Sequence, residues 1–104
     1  MSGLLGLWEE GQRRLNATQG REHTALERVT DHIVTELHRR LGGPFTVAEL
    51  ERLYLEQGTD WCFQIAVRAA PGEPAAWDLT TVAGAAFARY VREASDYRGP
   101  SEAN

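Results

Sequence analysis

The sequence predicts an all-α fold, a compact bundle of four to five short helices in orthogonal or mixed packing. Three observations predict it. Apolar residues recur at intervals of three and four over long stretches. Helix-start signals alternate along the chain with glycine and proline stops. No period-2 pattern persists beyond a few residues. A length of 104 residues is expected to give one helical domain over 1–97 and a disordered tail over 98–104.

The elements follow in order. Ser2 can cap a first helix that reaches about Thr18, with Leu4, Trp8 and Leu15 near one face. Gln19-Gly20 interrupts it, and the sequence leaves open whether the chain breaks there or only bends. A second helix spans about Arg21 to Leu41, with Leu26, Val29, Ile33, Leu37 and Leu41 on its apolar stripe. Arg39 and Arg40 complement its C-terminal dipole, and Gly42-Gly43-Pro44 stops it. Thr46 with Glu49 forms a capping box, and Phe45 with Leu50 a hydrophobic staple, at the start of a third helix. That helix runs to about Gln57 with Leu50, Leu53 and Tyr54 inward, and Gly58 is expected to end it. Thr59 opens a fourth, about Asp60 to Ala70, carrying Trp61, Phe63, Ile65 and Val67. Pro71-Gly72-Glu73-Pro74 reads as a loop. Asp78 caps a fifth helix to about Ser95, with Trp77 and Val82 as a staple and Val82, Ala86, Tyr90 and Ala94 as its inner stripe. Gly84 costs about 1 kcal/mol in a helix interior, which close approach of a neighbouring helix or ring would offset.

Composition removes several classes of function. All 11 basic side chains are arginine, so no Schiff-base lysine or phosphate-binding P-loop lysine exists. A net charge of −4 opposes non-specific nucleic-acid binding and an anionic membrane surface. No apolar run approaches the roughly 20 residues of a membrane span. Leu4, Leu5 and Leu7 lack the basic flank and length of a signal peptide. Cys62 is the single cysteine, so an internal disulfide is impossible and a cytoplasmic location is the expectation. No cofactor, metal or catalytic set is assigned.

Four constellations are candidates for a site. Residues 47–57, a turn at Gly58 and residues 60–70 have helix-turn-helix spacing, with Gln64 and Arg68 as the alternative DNA-contacting residues. Against that stands the rest of the fourth helix, whose Trp61, Cys62, Phe63, Ile65 and Val67 all want a core. His32 and Glu36 sit one helical turn apart, a legal metal-ligand spacing, yet no third ligand is evident. Cys62 lies in the first turn of a helix, where a thiolate gains mild stabilisation, while a buried inert thiol is the plainer reading. Leu4, Leu5, Leu7 and Trp8, rimmed by Arg13 and Arg14, have the make-up of a partner-binding surface, unless the first helix docks on its own domain.

The stretch from Phe45-Thr46-Val47-Ala48-Glu49-Leu50 through Thr59-Asp60-Trp61-Cys62 to Ala76-Trp77-Asp78 and Ala86-Phe87-Ala88-Arg89-Tyr90 resembles small helical proteins of unassigned role from high-GC actinobacteria. It covers about half the chain. The resemblance implies a cytosolic regulatory or assembly-linked protein and brings no site residues with it. The expectation from the sequence is a non-enzymatic, cytosolic adaptor or regulatory protein that binds another protein or itself. The alternative is a helix-turn-helix DNA-binding protein, and the third class is an enzyme built on Cys62 or on His32 and Glu36.

Overall fold

The computed structural model describes residues 4–69 and 79–93. The described residues form α1 (Leu5–Ala17), α2 (Gly20–Leu41), α3 (Val47–Leu53), a π-helical turn (Tyr54–Gly58), α4 (Thr59–Ala69) and α5 (Leu79–Glu93), with no strand among them. The all-α expectation holds. The expected Ser2 cap, the loop at 71–74, Asp78, Trp77, Ala94 and the tail lie outside the described residues.

Local chemistry sets the ends. Thr18 and Gln19 are extended and Gly20 has φ +65°, so α1 and α2 are two helices and not one bent rod. The Thr18 hydroxyl donates to the Leu15 carbonyl over 2.6 Å, and the His23 ring nitrogen Nδ1 lies 3.0 Å from that hydroxyl. Together they cover the carbonyl end of α1. Gly42 closes α2 in the left-handed conformation, its N–H donating to His38 over 3.0 Å. The capping box forms as read: the Glu49 N–H donates to Thr46 Oγ1 over 3.2 Å, and the Thr46 N–H donates to Glu49 Oε1 over 2.8 Å. Phe45 and Leu50 of the staple are both buried.

The expected stop at Gly58 is not there. Residues 47–69 form one uninterrupted helical run in which the π turn joins α3 to α4. A π turn holds its hydrogen bonds one residue wider than an α turn, so the chain accommodates extra backbone without leaving the helix. A helix-turn-helix needs two helices crossing at a bend. That motif is therefore not formed.

Packing centres on α5. Its Val82, Ala83, Ala85, Ala86, Phe87, Ala88 and Tyr90 are all buried, a wider arc than the single stripe expected. α1 makes the most extensive contact with it, and α2 covers another side. Small residues bring α1 and α5 together. A Cβ on Gly84 would sit 3.2 Å from the Trp8 Cα, and one on Gly11 would sit 2.7 Å from the Thr81 carbonyl oxygen. The cost of glycine in these helices is thus offset by backbone-to-backbone approach. That approach seats Trp8 in the core, tilted against Phe87 at 5.1 Å and edge-on to Tyr54 at 5.8 Å between ring centroids.

Polar contacts then fix the remaining elements. Arg89 on α5 reaches Glu27 over 3.2 Å and Asp31 over 3.0 Å on α2. The Glu51 carboxylate of α3 accepts from the Leu4 N–H over 3.0 Å, placing a negative charge at the start of α1. Arg28 of α2 donates to the Ala69 carbonyl at the end of α4 over 3.3 Å.

Candidate protein-binding face on α4

The fourth helix carries more apolar residues than one core-facing arc can hold. Trp61 and Ile65 form one i, i+4 pair, Cys62 and Ala66 a second, and Phe63 and Val67 a third. At about 100° per residue, three such pairs cover most of a helix. The first two pairs face the core and are buried. The third is turned outward, leaving Phe63 46 % and Val67 41 % exposed. Leu55, on the π turn and in the same every-fourth-residue row, is 72 % exposed. Sequence reading assigned Phe63 and Val67 to the core, and the structure corrects it. The buried pairs face α2 and α5, the helices that α4 packs against.

Polar residues flank this row. Asp60, Gln64 and Arg68 are exposed along the adjacent ridge of α4. Phe63, Gln64, Val67 and Arg68 line a shallow hollow of about 320 Å³. A second recess of about 290 Å³ lies between α2 and α4, bounded by His32, Thr35, Glu36, Ile65, Arg68 and Ala69. Arg68 borders both hollows, and it has no carboxylate partner among the described residues.

The expected partner surface on α1 is not formed. Trp8 is 0 % exposed, and Leu4 and Leu5 are partly buried against the core. The small residues that let α1 lie against α5 draw the ring inward. Leu7 alone of the four stays open, at 43 %. Arg13 and Arg14 are exposed, and both pair with Glu10 on their own helix. They rim no apolar patch.

The candidates for chemistry are equally clear. The Cys62 thiol is buried, and desolvation pushes its pKa up to about 12 despite the nearby Arg40. A thiol held neutral in this way is a poor nucleophile. His32 and Glu36 do line one recess, but the Glu36 carboxylate faces Arg39 over 2.6 Å and Arg40 over 2.7 Å. Hydrogen bonding to Arg39 is the main cause that holds its pKa below the usual carboxylate value. Arg40 in turn stacks 4.8 Å from the centre of the Trp61 ring. Glu36 thus neutralises two arginines and ties α2 to α4 through the tryptophan. Among the described residues no group of three or more His, Cys, Asp or Glu side chains converges on a point where a metal ion could sit. No described helix is long and apolar enough to cross a membrane.

Comparison with family models, with curated proteins and with solved structures gives no match for this chain. The site therefore rests on its own geometry. Gln64 and Arg68, named at first as DNA-contacting residues, are exposed on α4 beside the apolar row. The missed residues are Phe63, Val67 and Leu55. The signal for Phe63 and Val67 was present in the three apolar i, i+4 pairs of one short helix, and Leu55 on the π turn had none.

Proposed function

We propose that this chain is a non-enzymatic protein-binding domain of adaptor or regulatory type, and that the outward face of α4 is its contact surface. The observation that carries the reading is the exposed row Leu55, Phe63 and Val67 beside Asp60, Gln64 and Arg68. Apolar anchors edged by arginine and amide groups are the usual make-up of an interface. An exposed phenylalanine one turn from an exposed valine presents the i, i+4 spacing by which helices recognise grooves or other helices. The inert Cys62 thiol and the arginine-bound Glu36 carboxylate favour binding over chemistry.

A photo-crosslinking amino acid placed at position 63, and in a control at Arg39 on α2, tests this inside cells. The expected result is a discrete protein adduct from position 63 and none from position 39. Equal labelling from both positions, or none from position 63, overturns the reading.

A further inference from the structure

The chemistry along α4 is self-complementary. Asp60, Gln64 and Arg68 are spaced four residues apart on one exposed ridge, with an acid at one end, a base at the other and an amide midway. Phe63 and Val67 form the neighbouring ridge. Neither Asp60 nor Arg68 has an ion-pair partner among the described residues. A two-fold axis through Gln64 reverses the ridge. It sets Asp60 of one copy beside Arg68 of the other, twice, and Gln64 beside Gln64, where each amide both donates and accepts.

We infer that the occupant of this face is a second copy of the same chain, docked antiparallel α4 against α4. The inference rests on the protein-binding reading above and names its partner. Rows at i±4 are the ridges that interdigitate in the commonest helix packing, which crosses axes at about −50°. In that packing, with Gln64 on the axis, the Asp60–Gln64–Arg68 ridge of each copy enters the hollow lined by Phe63, Gln64, Val67 and Arg68 of the other, and Phe63 and Val67 close over it. Asp60 and Arg68 stand about 12 Å apart along the helix, so the two ion pairs fall on either side of the central Gln64 pair, with Phe63 and Val67 of both copies along its flanks. An unrelated acidic partner would engage Arg68 and leave Asp60 facing a like charge. A second copy satisfies both. The net charge of −4 is no bar, since charges farther than about 8 Å are largely screened at physiological salt. The face is small, so the dimer belongs to the weak, concentration-dependent class.

Sedimentation of the full chain and of charge-swapped variants tests the inference. From about 1 µM to about 1 mM, a range suited to a weak interface, the mass is expected to rise from 11.6 kDa towards twice that value. Asp60→Arg and Arg68→Glu should each weaken dimerisation about tenfold or more, because each places like charges together at both edges. A one-to-one mixture of the two variants should dimerise again, since the mixed pair restores both contacts. A parent chain that stays monomeric overturns the inference, as does a single variant that associates as well as the parent or a mixture no better than its components. Crosslinking from position 63 to a different protein by a monomeric chain would leave the binding function standing and remove the second copy as its partner. No crosslink and no dimer would remove both.

Discussion

Trp8 is the residue whose surroundings decide between two roles. It packs on Phe87 and Tyr54 with its Cα close to Gly84, and solvent does not reach it. Truncation there leaves a ring-sized cavity, so Trp8→Ala is expected to cost about 3–5 kcal/mol of stability in denaturant titration. A binding anchor would instead leave the fold nearly unchanged. The sequence is compatible with both roles, because periodicity reports which residues share a face and not what covers that face. Phe63 shows the converse. Its apolar side chain reads as core in the sequence and is exposed in the fold. For Cys62 the structure shows a buried thiol, and for Glu36 a carboxylate held by two arginines. Glu36 also supplies a pH signature. Its folded-state pKa is lowered, chiefly by the hydrogen bond from Arg39. Its contribution is therefore complete above the ordinary carboxylate pKa of 4.5 and fades as pH falls through the lower folded value. Glu36→Gln should be less stable than the parent at neutral pH, and the gap should close on acidification below that range.

Among the elements, α1 and α5 depend on two glycines for their separation. Gly→Ala in a helix gains about 1 kcal/mol of propensity when nothing is in the way. Gly84 and Gly11 have backbone in the way, at 3.2 Å and 2.7 Å. Gly6, also in α1, has nothing within 4 Å. Gly6→Ala is thus expected to raise the melting temperature. Gly84→Ala should lower it, because overpacking costs about 1–3 kcal/mol and outweighs the propensity gain. Equal effects at the two sites would mean that the helices are not in close contact. Capping signals made α2 and the start of α3 legible, since a cap is written in adjacent residues. The π turn was not legible. Glycine at position 58 is a stop signal in most contexts, and here the helix runs through it. The cap on α1 is supplied by Glu51, 47 residues away in the chain, and no local pattern announces such a contact. Arg89 with Glu27 and Asp31 is tertiary in the same sense.

At the scale of the whole molecule, α1, α2 and α4 pack against α5, and among the described residues the row Leu55, Phe63 and Val67 stays exposed. The all-α class followed from helical periodicity together with the start and stop signals and the lack of a period-2 pattern, because these are written locally along the chain. Where the surplus apolar surface lies did not follow, since it depends on how many neighbours each helix meets. α1 meets α5 along most of its buried face, whereas the neighbours of α4 bury Trp61, Cys62, Ile65 and Ala66 and leave Phe63 and Val67 exposed. The row on α4 must be surface in the folded chain for any partner to reach it. Equilibrium urea unfolding of Phe63→Ser against the parent, at a concentration low enough to keep the chain monomeric, measures this directly. If Phe63 is surface, the variant should unfold within about 0.5 kcal/mol of the parent. A loss of about 3 kcal/mol or more, the cost of emptying a core aromatic site, would show that the chain itself buries Phe63 and would contradict the account.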